Sequence, residues 1–321
     1  MAKITIVQAV NSALRNELSK DRKTVIMGED IGVNGGVFRA TDGLYKDFPT
    51  QVLDTPLSES GIISTAFGMA INGIRAIAEI QFSGFMYGPF EQIYAHIART
   101  RARSRGRFNV PMVIRAPYGA GIRALDLHCE SGESIFTQAT GLKMVIPSSP
   151  YDTKGLLISA IRDPDPVIFY EPMRLYRSLK EEVPDKEYTI PLGKANIIQE
   201  GSDLTIVSYG AALRDCVKAL ASSSYSAEII DLRTVIPMDT EAIINSVKKT
   251  GRCVIVHEAP KSCGLAAEIM ARINEKCFYS LEAPVERVTG FDTMVPFAKL
   301  ENYYLPSEKR ILKAVNKVMS H

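Results

Sequence analysis

Glu59 stands between turn-forming residues and a glycine-punctuated apolar run in the stretch DTPLSESGIISTAFGMAINGIRAIAEIQFSGF, from Asp54 to Phe85. A carboxylate there can cap the first turn of a helix together with Ser58 or Ser60. In a desolvated pocket it can instead exchange a proton near neutral pH, which is general acid–base chemistry. Two histidines could join such chemistry: His128, in RALDLHCESGES, and His257, at the end of CVIVHEAP. Both fall in or just before loops at strand carboxyl ends, where sites collect in α/β proteins, and an imidazole there can carry a proton. His96 and His321 read as structural. No histidine or cysteine pair has the spacing of a transition-metal site. The five cysteines are odd in number and form no CxxC, so neither a disulfide framework nor a zinc ribbon is expected and a reducing, cytoplasmic setting fits.

Two further stretches carry charge or glycine in suggestive patterns. GAGIRA (Gly119 to Ala124) follows an apolar strand and has the shape of a dinucleotide-binding turn. Such a site needs an acidic residue at the end of a second strand to hold the ribose, and position 142 is Leu142, so a sharp loop is expected instead. ARTRARSRGR alternates five arginines, Arg99 to Arg107. Residues two apart on a helix point to nearly opposite sides, so no basic stripe forms, and a helix end meeting a carboxylate or a partner is expected. With 46% hydrophobic residues, 23% charged residues and a net charge of +2, there is no general argument for nucleic acid or an anionic membrane as partner.

The elements that must position these residues are legible. KTVIMGED, RAIAEIQF, VPMVIRAP, LKMVIPSS and DPVIFYE, then SDLTIVSYG, SAEIIDLRT and GRCVIVHEAP, are short β-branched runs alternating with helical patterns, which predicts an α/β architecture with mostly parallel sheets. The N-terminal MAKITIVQAVNSALRNEL reads as a strand and a helix, without the features of a signal or transit peptide. Gly61 to Ile80 is apolar enough to resemble a membrane span, but Asn72, Arg75 and Glu79 would be costly in hydrocarbon, so it reads as a buried helix followed by a strand. On that helix Gly61, Ser64, Thr65 and Gly68 share a face that another backbone could approach. YRSLKEEVPDKEYTIPLG, between Tyr176 and Gly193, is charged, carries two prolines and lacks apolar periodicity. It is expected to be the linker between two domains, residues 1–185 and 186–321.

Six ordered blocks, VIMGEDIG, DTPLSESGI, AIAEIQFSGF, AIRDPDPVIFYEP, RTVIPMDTEAIINSVKKTGR and APVERVTGFDTMVPFAKLENYYLP, resemble the β subunit of the E1 component of 2-oxoacid dehydrogenase complexes across essentially the whole chain. The resemblance implies a thiamin-pyrimidine-binding α/β domain followed by a transketolase C-terminal-type α/β domain. It implies thiamin diphosphate as cofactor. Glu59 would meet N1′ of the aminopyrimidine and, by sharing a proton there, favour the imino tautomer that activates the thiazolium. Phe85 would pack on the pyrimidine, with Leu57 and Gln81 lining the same pocket. His128 would assist acyl transfer to a lipoyl group, although its block here is HCESGE where the family usually has HSQSPE, and Glu130 is placed to share that task. AIRDPDP resembles a loop that wraps a monovalent cation such as K⁺ with carbonyl oxygens, here those of Ala160, Asp163 and Asp165, with Met112 as a weaker fourth. A capped Asp/Pro turn is the other reading.

The chain contains neither the GDG block nor the NN pair with which thiamin enzymes hold Mg²⁺ and the diphosphate. The resemblance therefore implies an E1 α subunit that holds Mg²⁺, an α₂β₂ heterotetramer with a second β chain, and an E2 acyltransferase whose lipoyl domain is reductively acylated. The reaction expected is oxidative decarboxylation of a 2-oxo acid, with DTPLSE, AEIQF and SSPYDTKGLL favouring a branched-chain substrate and pyruvate next. An acetoin dehydrogenase β subunit and a non-catalytic assembly subunit are the alternatives.

Overall fold

The computed structural model describes residues 2–321. In chain order its strands are β1 (Ala2–Thr5), β2 (Thr24–Gly28), β3 (Val52–Asp54), β4 (Arg75–Glu79), β5 (Met112–Tyr118), β6 (Lys143–Val145), β7 (Val167–Pro172), β8 (Lys180–Val183), β9 (Asn196–Gln199), β10 (Leu204–Ser208), β11 (Ala227–Asp231), β12 (Thr234–Ile236), β13 (Cys253–Val256) and β14 (Glu286–Val288). The first large sheet has the order β12-β6-β7-β5-β4-β2-β3, and the second β14-β13-β10-β11-β9. Pairing is parallel throughout except at the edge strands β12 and β9. The sequences show why. TVIMG in β2 and MVIRAPY in β5 are buried at every residue, as strands covered by helices on both faces must be.

Each covering helix is bounded by a local signal. Helix Ile6–Lys20 starts at Thr5, whose hydroxyl accepts from the Gln8 amide while the Gln8 side chain returns to the Thr5 N–H, a reciprocal cap. Helix Pro150–Arg162 begins with Ser149 as cap and proline in its first turn, where no N–H is needed. These two helices share a core with Ile26, Ile77, Val113 and Phe169 from the sheet.

The segment expected to be the linker contains a strand. β8 pairs antiparallel with β1, and Tyr188 and Ile190 then run so close to Gly155 that a Cβ there would come within 2.7 Å of either side chain. Charged residues on this short edge ribbon hid it from an apolar-periodicity criterion. A second difference is β12, which lies late in the chain yet pairs with β6 and completes the first sheet. Helix Glu59–Ile71 is also less enclosed than expected. Ile62, Ile63, Ala66 and Ala70 are buried, but Gly61, Ser64 and Thr65 are exposed, and a Cβ on Gly68 would meet nothing within 4 Å. The face of small residues is open within this chain.

At the centre of the first sheet lies a charged hub. Arg115 of β5 is 1% exposed and donates to Glu79 of β4 at 2.7 Å and to both carboxylate oxygens of Glu171 of β7 at 2.7 and 3.0 Å. The Tyr176 hydroxyl adds a bond to Glu171 at 2.6 Å. Burial raises the Glu79 carboxyl and Arg115 opposes it, while the arginine itself, despite burial, is held charged by the two carboxylates. Among the described residues no helix is long and apolar enough to cross a membrane.

Candidate active site at the carboxyl ends of the first sheet

β3, β2, β4 and β5 are consecutive neighbours in the parallel sheet, and the loops leaving their carboxyl ends carry the candidate residues. Glu29 and Asp30 follow β2. The DTPLSE block, Asp54 to Glu59, follows β3, and Gln81 with Phe82 and Phe85 follow β4. The His128 loop follows β5. Residues far apart in sequence are thereby gathered along one edge, the position at which open α/β sheets bind ligands.

Glu59 is the first residue of its helix and is half-buried. The cap is made by Ser58, whose hydroxyl accepts from the Gly61 N–H at 3.3 Å. Ser58 is thus the capping group and Glu59 an acidic residue of the first turn, as a helix-terminal carboxylate is expected to be, and its carboxylate makes no capping hydrogen bond of its own. Glu29 is its electrostatic neighbour: the Glu29 carboxyl is raised by burial, then by Asp30 and by Glu59. Asp54 has a separate task. Its Oδ1 accepts from the Gly32 N–H at 2.6 Å, and the Thr55 N–H donates to the Gly28 carbonyl, which together tie the loop after β3 to the loop after β2. Thr55 Oγ1, within the same block, is buried without a hydrogen-bond partner. Leu57 is 70% exposed, and Phe85 and Gln81 are half-buried. A carboxylate, an aromatic ring, an amide and an exposed aliphatic side chain on one edge form a set that suits a flat heteroaromatic ring with a basic nitrogen.

His128 reaches the same edge. Its ring centroid is 4.4 Å from that of Phe82 and 5.1 Å from that of Phe85, and Phe82 and Phe85 are themselves 5.6 Å apart in an edge-to-face arrangement. His128 Nδ1 lies 2.9 Å from the Asp126 carbonyl. A carbonyl only accepts, so Nδ1 carries the hydrogen and Nε2 is the nitrogen left to exchange a proton. Gly84 makes this approach possible, since a Cβ there would fall 2.2 Å from the Leu127 carbonyl. Ser83 Oγ donates to the Glu130 carbonyl at 2.9 Å, and the Tyr87 hydroxyl donates to the Glu130 carboxylate at 3.2 Å. Glu130 therefore fastens the loop to residues 83–87. Phe82 and Asp54 were not singled out from sequence, although both stand inside quoted blocks; an aromatic two residues before a Gly-Phe pair was the available signal.

Other candidates lie elsewhere. His257 is fully buried, and its Nε2 accepts from the Ala266 N–H at 3.3 Å. Burial, then Arg287, lower its imidazole to about 4, which keeps it neutral. It does not join the edge of the first sheet. Burial pushes the Cys129 thiol up to about 12, so thiolate chemistry at neutral pH is excluded there. His96 and His321 are exposed. Within the arginine-rich stretch Arg101, on the short helix Thr100–Arg103, pairs with Asp165 at 2.7 Å, so one of its arginines meets an internal carboxylate.

The expected cation turn is built as follows. Met112 is buried at the start of β5, and the Ala160 carbonyl accepts from the Asp163 N–H at 3.3 Å. Lys143 Nζ contacts both Asp163 carboxylate oxygens at 2.7 Å and Asp165 at 3.6 Å. Both carboxylates already face cations of the chain itself, so only carbonyl oxygens remain for an ion.

Residues 2–178 match the family described as transketolase, pyrimidine binding domain, and residues 193–311 match the transketolase C-terminal domain. The chain is 51% identical over 323 residues to the pyruvate dehydrogenase E1 component subunit beta of Bacillus subtilis (strain 168), covering 99% of each. It is 51% identical over 322 residues to the protein of the same description from Acholeplasma laidlawii, covering 99% of this chain and 98% of that one. It is 50% identical over 323 residues to that of Staphylococcus aureus (strain Mu50 / ATCC 700699), covering 99% of each. Among solved structures, a split-gene transketolase described as an inactive beta4 tetramer superposes with a TM-score of 0.80 at 22% identity, covering 99% of each chain, which is a likeness of fold. Fold, edge-of-sheet geometry and end-to-end similarity converge: the chain belongs to the 2-oxoacid dehydrogenase E1 β-subunit family.

Proposed function

We propose that this chain is the β half of a thiamin diphosphate-dependent E1 enzyme that oxidatively decarboxylates a 2-oxo acid and reductively acylates the lipoyl domain of an E2 partner. The observation that carries the reading is the placement of Glu59, Phe85 and His128 on loops at the carboxyl ends of β3, β4 and β5 of one parallel sheet, with Phe85 and His128 in ring contact. Bound thiamin diphosphate supplies the carbon nucleophile and the electron sink of this chemistry. Glu59 would hold a proton at N1′ of the pyrimidine, Phe85 would pack on the ring, and Leu57 and Gln81 would line its sides. His128 would deliver a proton from Nε2 to the departing lipoyl sulfur. Glu130 is better suited to holding that loop than to sharing the transfer, because Tyr87 already engages its carboxylate.

Among the described residues no group of three or more acidic, histidine or cysteine side chains could hold a metal ion. We take Mg²⁺ and the diphosphate to be held by an α subunit, because this sequence has neither the GDG block nor the NN pair, with two β chains in an α₂β₂ assembly; the open small-residue face of helix Glu59–Ile71 is compatible with a close-packed neighbour. We take the two domains to divide near residue 185, between the two matched ranges, and the site of action to be the cytoplasm. A monovalent cation such as K⁺ held by carbonyl oxygens of Met112, Ala160, Asp163 and Asp165 belongs to the same reading; identical melting temperatures in K⁺ and in choline would remove it.

For the substrate, the blocks DTPLSE, AEIQF and SSPYDTKGLL favour a branched-chain 2-oxo acid, whereas the relatives at 50–51% identity are named for pyruvate. The test is coexpression with a cognate α subunit, addition of thiamin diphosphate and Mg²⁺, and turnover of pyruvate, branched-chain 2-oxo acids and acetoin. Turnover of any 2-oxo acid supports the function and selects the substrate. Turnover of acetoin alone, or of none, overturns it.

A further inference from the structure

GAGIRA has the outline of a phosphate-binding turn, and its geometry does gather N–H groups around an anion. Gly121 and Arg123 both have positive φ, +102° and +59°, which turns the amides of alternate residues toward one side. The Gly121 N–H donates to Glu301 Oε1 at 2.9 Å, and the Arg123 N–H spans Oε1 and Oε2 at 3.2 and 3.0 Å. Glu301 is 1% exposed and reaches the nest from 178 residues further along the chain. Just before it, the Ala120 N–H donates to Glu258 Oε2 at 3.3 Å, and Glu258 is paired with Arg174 at 2.8 Å. The loop that bears His128 is thus held at its near end by carboxylates from the second half of the chain. Its far end is held by Ser83 and Tyr87 from the first half.

We propose that Glu301 is a positioning residue for His128. Its carboxylate, seated in the Gly121–Arg123 nest, fixes the near end of the loop and so keeps the imidazole against Phe82 and Phe85. Amide bonds to an ionised acceptor are roughly twice as strong as neutral ones, and here two backbone N–H groups converge on one buried carboxylate. Removing the carboxylate leaves N–H groups without an acceptor, and the loop must reorder to find others. The inference rests on the reading of His128 given above.

The test uses the assembled α₂β₂ enzyme carrying Glu301→Ala, with Glu301→Gln as the milder variant should the alanine form fail to assemble. Three quantities are read: amide hydrogen exchange of residues 119–131, acylation of a lipoyl domain, and decarboxylation with an artificial electron acceptor. Exchange in the loop is expected to rise by about tenfold or more, the equivalent of losing one charge-assisted bond, while β2 and β4 stay protected. Acylation is expected to fall further than the artificial-acceptor reaction. Acetate, which can enter the emptied nest, is expected to restore loop protection and acylation in Glu301→Ala, and matched chloride is not. Unchanged loop exchange, equal loss in the two assays, or a loss that acetate does not relieve overturns the proposal. His128→Ala run alongside isolates the underlying reading: if it spares acylation, His128 has no such role, whatever happens to the loop.

Discussion

The imidazole of His128 meets the ring of Phe85 nearly at right angles, with centroids 5.1 Å apart. The two residues come from loops after β5 and β4, so their contact joins the aromatic ring we propose for the pyrimidine to the group we propose for acyl transfer.

Their substitutions should separate. His128→Ala removes a proton donor needed at sulfur, so lipoyl acylation should fall by about 10² or more while the artificial-acceptor reaction is largely kept. Phe85→Leu removes the ring from both the pyrimidine pocket and the imidazole, worth about 0.5–1.5 kcal/mol per aromatic pair, and should weaken cofactor saturation and reduce both reactions. Equal losses for His128→Ala in the two assays would move it to cofactor or substrate positioning.

A buried acid sets a pH dependence. Glu133 is fully buried; burial raises its carboxyl to about 7, and the Tyr209 hydroxyl, donating at 2.6 Å, only partly opposes this. In the unfolded chain it titrates near the ordinary 4.5. Between these values the folded protein binds more proton, so stability falls as pH rises from about 4.5 to about 7. Glu133→Gln should flatten that limb in melting temperature against pH. A limb unchanged in the variant would assign the dependence to another group, Asp231 being the next candidate because burial raises it to about 7 as well.

The Arg115 hub should fail asymmetrically. Arg115→Met leaves Glu79 and Glu171 buried without their cation, which typically costs about 3–5 kcal/mol. Arg115→Lys should recover little, since one ammonium cannot reproduce the fork that spans two strands. Denaturant unfolding of both variants measures this, and a lysine variant as stable as the parent would contradict it.

Much of the site was readable from local signals. Ser58 and the glycine-punctuated run marked the start of the helix at Glu59, the β-branched runs marked the strands, and the alternation of strand and helix placed loops at their carboxyl ends. Residues joined only by long-range pairing were not readable. β12 completes the first sheet from position 234 onward, β8 is a charged edge strand inside a segment that resembled a linker, and Glu301 fills a nest built far upstream. Arg115 and Glu79 sit in apolar strands with nothing local to show that they face each other. Such contacts depend on sheet order and domain packing, which periodicity does not encode.

Glu59 provides the most direct measurement. Glu59→Gln keeps the size of the side chain and one hydrogen bond to a ring nitrogen but cannot exchange its proton. In the α₂β₂ enzyme saturated with thiamin diphosphate and Mg²⁺, decarboxylation of the 2-oxo acid should fall by about 10² to 10⁴, and by the same factor with a lipoyl domain as with an artificial acceptor. A Glu59→Gln enzyme that decarboxylates at the parent rate would contradict the account.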